Sequence, residues 1–127
     1  MFTLPNDFDH DDFVGGFLTE IGVGIGNISL KFGRIGPPGL PPSTAVIIHG
    51  NFCCVRGEFR CSGRAAAPET AVGLMAFLNA DVSAIECDEQ YALRIKFGNM
   101  GYICVPQDQD DFDTFTIAVP GKMMIIG

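Results

Sequence analysis

Basic residues are scarce in this chain. Eight Lys and Arg stand against fifteen Asp and Glu in 127 residues, a net charge of −7. Neutralising phosphates needs a basic surface, so nucleic acid and anionic membrane are excluded as expected partners. The only basic stretch, Lys31, Arg34, Arg56, Arg60 and Arg64 against Glu58, is too thin to overturn this. No run approaches the roughly eighteen apolar residues of a spanning helix. The first twenty residues carry five acids and lack the apolar core of a signal peptide, so a soluble, cytoplasmic chain is expected. Histidine occurs twice, as His10 and His49, and nothing in the sequence pairs either with a serine or cysteine nucleophile. No C-x-x-C pair is present, and neither histidine stands at zinc-ligand spacing from the cysteines. Tryptophan is absent, which leaves eleven phenylalanines as the bulk of a core.

What is present points to strands. The length fits a single domain, 1–127, and 47% hydrophobic with 18% charged residues fits a globular one. Sixteen glycines and eight prolines favour short strands and tight connections. The five cysteines, odd in number and with Cys53 and Cys54 adjacent, are expected to be reduced, buried thiols.

The chain also resembles itself. A stretch beginning at Phe13 aligns with one beginning at Phe77 if the second carries one extra residue. Leu18 then meets Val82, Ile21 meets Ile85, Ile28 meets Leu93 and Leu30 meets Ile95, and Lys31-Phe32-Gly33 meets Lys96-Phe97-Gly98. Two repeated β-meander halves, about 13–64 and 77–127, follow from this. Period-two alternation marks strands at Asn27–Phe32, Ala45–His49, Tyr91–Phe97, Tyr102–Val105 and Thr114–Val119. Phe52–Phe59 is expected to be one strand with a bulge at Gly57. G-V-G-I-G-N (22–27) reads as a hairpin, and Gly50-Asn51 as a hairpin-type dipeptide after His49. One helix is predicted over about 68–79, opened by Pro68 and stopped at Asn79. A weaker one spans Asp7–Val14. The predicted architecture is mainly β (α+β), two antiparallel meander units forming a barrel or a sandwich with one helix between them.

Two acidic stretches carry the candidate site residues: Asp7, Asp9, Asp11 and Asp12, and Asp108, Asp110, Asp111 and Asp113. The first has the D-x-D-x-D spacing that calcium loops use, but Asp12 and Leu18 occupy the places where an EF-hand needs glycine and glutamate. The second breaks earlier, at Phe112. Both therefore read as binding surfaces rather than metal cradles, and no metal, cofactor or catalytic residue is expected. The P-x-x-P of the 33–43 loop reads as a rigid surface turn.

The closing stretch, L-R-I-K-F-G-N-M-G-Y-I-C-V-P followed by D-D-F-D-T-F-T-I, resembles the C-terminal pattern of a family of small uncharacterised bacterial proteins. That pattern is an alternating strand, a glycine turn, a strand ending in proline and an acidic–aromatic step into a last strand. Asp113 and Phe115 stand where the family usually carries an acid followed closely by tryptophan. The resemblance covers the final third of the chain. Some members look like immunity proteins that neutralise a toxin from a neighbouring gene. The expected function is accordingly non-catalytic binding of a basic protein through acidic loops. The alternative is a small-molecule or enzymatic barrel with an apolar pocket between the halves. A homodimer is expected from the apolar surplus.

Overall fold

A computed structural model of the chain describes residues 2–34, 44–107, 114–119, 121 and 124–127. The proline-rich loop and the second acidic stretch, Asp108, Asp110, Asp111 and Asp113, lie outside the described residues. The strands are β1 (Phe17–Gly24), β2 (Asn27–Gly33), β3 (Thr44–Ile48), β4 (Asn51–Arg56), β5 (Phe59–Arg64), β6 (Ala84–Glu86), β7 (Tyr91–Lys96), β8 (Gly101–Pro106), β9 (Phe115–Ala118) and β10 (Ile125–Ile126). They form two antiparallel five-stranded sheets, ordered β1-β2-β3-β9-β10 and β6-β7-β8-β4-β5. The arrangement is mainly β and sandwich-like, so of the two architectures expected it is the open pair of sheets and not the closed barrel.

Each sheet takes three strands from one half of the chain and two from the other. Adding five to every label of the first order, and counting on from one after ten, gives the second order. The interior follows the period-two pattern. Ile28, Leu30, Phe32, Val46, Ile48, Phe115 and Ile117 point inward from the first sheet, and Phe52, Cys54, Ile85, Leu93, Ile95, Ile103 and Val105 from the second. They join a single buried cluster. Phe13 and Phe77, matched in the sequence alignment, are both fully buried. Each touches its own half's K-F-G phenylalanine: Phe13 lies 5.4 Å from Phe32 and Phe77 lies 4.9 Å from Phe97, centroid to centroid.

The predicted helix is present as a 3-10 helix, Pro68–Phe77, with Asn79 just beyond it at φ 68°. Three residues per turn make three stripes. Ala71, Leu74 and Phe77 enter the core, while Val72, Met75 and Leu78 face outward. Thr70 and Gly73 lie against β5: the Thr70 hydroxyl donates to the Arg64 carbonyl (3.1 Å), and a Cβ on Gly73 would collide with Cys61 Sγ. This explains why the segment reads as apolar on more than one face.

Several expectations are corrected. Phe52–Phe59 is not one bulged strand: Gly57, at φ 60°, turns the chain between β4 and β5. Gly50-Asn51 does not close a hairpin, because β3 and β4 belong to different sheets and the chain crosses between them there. The Asp7–Val14 helix shrinks to a 3-10 turn, His10–Asp12. The cysteines depart furthest from expectation. Cys53 pairs with Cys104 and Cys54 with Cys61 as disulfides, leaving Cys87 as the free thiol. The sheet register is the cause. Cys53 stands opposite Cys104 across β4–β8, and Cys54 opposite Cys61 across β4–β5. Their Cα atoms are 5.2 and 5.3 Å apart, within the span a disulfide bridges.

Candidate acidic edge and its aromatic–ionic neighbour

The N-D-F-D-H-D-D-F segment alternates anchors with charges. Phe8 stacks on Phe13 at 6.1 Å and meets the His10 ring edge-on at 5.0 Å. Phe13 reaches the core, while Asp7, Asp9 and Asp11 are exposed and Asp12 half-buried. Asp9 caps the 3-10 turn, its carboxylate accepting from the Asp11 N–H at 3.0 Å. The aromatic residues fix the backbone, so the carboxylates project from a held segment.

Three tethers lay this segment along β6 and the turn after it. His10 Nδ1 donates to the Ile85 carbonyl (3.0 Å), since a carbonyl oxygen can only accept. The Leu4 N–H donates to Cys87 Sγ at 3.2 Å. At the start of the chain the Phe2 N–H donates to Gln107 Oε1 (2.9 Å), and Gln107 Nε2 donates to the carbonyls of Phe2 (2.7 Å) and Asp88 (3.1 Å). The N-terminal acids therefore share one edge of the molecule with Glu86, Asp88 and Glu89. Gln107, the residue before the 108–113 run, is fixed at the same edge. Among the described residues, no three His, Cys, Asp or Glu side chains gather as a cation site.

Sequence reasoning missed the cluster beside this edge. Arg94 donates to Glu86 Oε1 through Nε (3.1 Å) and Nη2 (2.8 Å), and to Asp88 Oδ2 at 2.9 Å. Lys96 Nζ lies 3.2 Å from the same Glu86 oxygen. The Arg94 guanidinium sits 5.5 Å from the ring centres of both Tyr91 and Tyr102. Simple alternation puts Tyr91 with Leu93 and Ile95, on the face opposite Arg94. A register shift between Tyr91 and Leu93 leaves Ala92 and Leu93 both buried and brings Tyr91 round to Arg94. The available signal was Y-A-L, three apolar or aromatic residues in a row that alternation cannot all bury.

Charge states follow from these contacts. Partial burial pushes the Glu86 carboxyl up, but hydrogen bonds and charge from Arg94 and Lys96 outweigh it and hold the group below the ordinary glutamate range. Asp88 is held down first by the Tyr91 N–H, against a small desolvation, and then by the Gln90 N–H and Arg94. Its Oδ1 accepts both N–H groups at 2.8 Å, which fixes the turn into β7. Burial, then the charge and hydrogen bond of Tyr102, raise the Tyr91 phenol, with Arg94 and Arg60 opposing. The cluster is saturated with internal partners, so its chemistry is to hold the β6–β7 corner on which the N-terminal segment rests.

Compared with known proteins, the chain matches no family model, no curated protein and no solved structure.

Proposed function

We propose that the chain is a non-catalytic binding protein that receives a basic protein partner on its acidic edge, in the manner of an immunity protein. The observation that carries this reading is the set of tethers from Phe2, Leu4 and His10 to Gln107, Cys87 and Ile85. They gather Asp7, Asp9, Asp11 and Asp12 beside the exposed Glu89 on one held edge of a chain of charge −7, where Glu86 and Asp88 are already paired with Arg94 and Lys96. A held acidic surface steers basic partners and excludes acidic ones, acting chiefly through the association rate. The same reading takes 13–64 and 77–127 as a duplicated unit. It is supported by the interchangeable strand orders and by the matching contacts Phe13–Phe32 and Phe77–Phe97.

The pocket alternative receives less support. Phe13, Phe52, Phe77 and Phe115 are fully buried between the sheets and occupy the space such a pocket would need.

The test is affinity capture on the immobilised chain from a lysate of the source organism, at low and high salt, beside the D7N/D9N/D11N/D12N variant. The expected outcome is a basic protein that is retained at low salt, released by salt and lost with the variant. Capture indifferent to both salt and variant would overturn the reading.

A further inference from the structure

We infer that Cys54–Cys61 is a thiol–disulfide exchange site that clasps the Pro68–Phe77 helix to the edge of the second sheet and releases it when a dithiol reduces it. This does not depend on the acidic edge. β5 is the last strand of its sheet, its ladder is with β4 and its last residue, Arg64, bridges Ala67, and none of its residues is buried. An edge strand with so little burial is weakly held by packing, so the contacts that tie it down matter. The disulfide joins Cys61 to Cys54, which is buried in the core. The helix lies over that same disulfide through Gly73, where a side chain would collide with Cys61 Sγ, and Thr70 bonds the Arg64 backbone.

Cys61 is partly exposed, whereas Cys54 is 1% exposed, so exchange starts at Cys61 Sγ, which lies under Gly73 and comes within reach of an external thiolate as the lightly packed edge opens. One thiolate of a dithiol attacks it. The Cys54–Cys61 bond breaks, Cys54 leaves as a thiolate and takes up a proton, and a mixed disulfide forms on Cys61. The second thiol of the reductant, as its thiolate, then attacks the reductant's own sulfur in that bond. Cys61 leaves as a thiolate and is protonated, and the reductant departs as a cyclic disulfide. The disulfide has gained two electrons and two protons, both supplied by the dithiol.

The consequence is the loss of a cross-link. Without the bond, β5 keeps its ladder to β4 and the Arg64–Ala67 bridge, and buries none of its own residues. The helix rests on that strand through Gly73 on Cys61 and Thr70 on Arg64, so it loosens together with β5. This uncovers the underside formed by Ala71, Leu74 and Phe77.

The test has two arms. Non-reducing digestion of the folded, air-oxidised chain is expected to yield a Cys54–Cys61 linked peptide. Hydrogen exchange then compares oxidised protein with protein treated with dithiothreitol, and with C54A/C61A, which keeps Cys53–Cys104. Amides of the 68–78 segment are expected to exchange at least tenfold faster after reduction and in the variant, with those of β2 and β3 changed less than twofold in the variant. The absence of the linked peptide would overturn the inference. So would unchanged exchange over 68–78, or equal acceleration throughout both sheets of C54A/C61A.

Discussion

The two sheets have the same strand order under exchange of the halves, yet their chemistry differs sharply. The first sheet is joined by its ladders and by its apolar inner face. The second carries both disulfides and the Arg94 cluster, and the N-terminal segment is tethered along its β6 edge. The common part is what a period-two apolar pattern specifies: Ile28, Leu30 and Phe32 in one sheet do what Leu93, Ile95 and Phe97 do in the other. The differing part sits mostly on outer faces and at edges, with Cys54 the one member that points into the core. The lesson is that one strand order can serve two sheets while, among the described residues, only one of them carries disulfides and a guanidinium held between carboxylates and aromatic rings.

The sharpest way to probe the common part is to delete the matched phenylalanines. F13A and F77A each remove a fully buried ring and are expected to cost about 3–5 kcal/mol in denaturant unfolding. Equal losses would support equivalence of the halves. A loss at one site with none at the other would break it.

The disulfides probe the differing part. Cys53–Cys104 spans a sequence separation of 51 and Cys54–Cys61 one of 7. By chain entropy, C53A/C104A is expected to lose about 4 kcal/mol and C54A/C61A about 2.5 kcal/mol, an ordering that paired melts can check. The reverse ordering would show that packing around Cys61, rather than loop closure, dominates.

The Arg94 cluster is expected to matter less. R94A removes a largely covered guanidinium from two carboxylates and two rings, at about 1–2 kcal/mol by urea titration. Its pH dependence has a definite sign. Glu86 and Asp88 are both depressed on folding, from ordinary values of 4.5 and 3.8. Their contribution is therefore complete above those ordinary values and is lost as pH falls through the lower folded ones. E86Q is expected to cost on the order of 0.5 kcal/mol near neutrality, because the pair is partly exposed. It should also flatten the loss of stability below about pH 4.5. An acid limb of wild-type steepness would remove Glu86 from the account.

How much of this was legible follows the same division. Pro68 and Asn79 bracketed the helix, because local sequence decides its ends, and the alignment paired Phe13 with Phe77 and the two K-F-G tripeptides without showing that each phenylalanine touches its own tripeptide. The cysteine pairing was not legible. It depends on Gly57 splitting one apparent strand in two, and on β8 of one half reaching β4 of the other, which are matters of tertiary register. Tyr91 was misplaced for a similar reason, since a single extra residue at Ala92 reverses the face of everything before it. Asp7, Asp9 and Asp11 were correctly read as exposed while Asp12 is half-buried, and their neighbours at β6 lie more than seventy residues away in sequence, as the His10–Ile85 bond shows.

The most direct test of the central claim is the association rate of the captured partner, measured against ionic strength for the wild type and two neutralised variants. These are D7N/D9N/D11N/D12N and D108N/D110N/D111N. If the acidic edge steers binding, the wild-type rate falls steeply with salt, the first variant associates at least tenfold more slowly at low salt, and its salt dependence flattens. The second variant should slow in the same direction. Association rates that are equal in all three proteins and insensitive to salt would contradict the account.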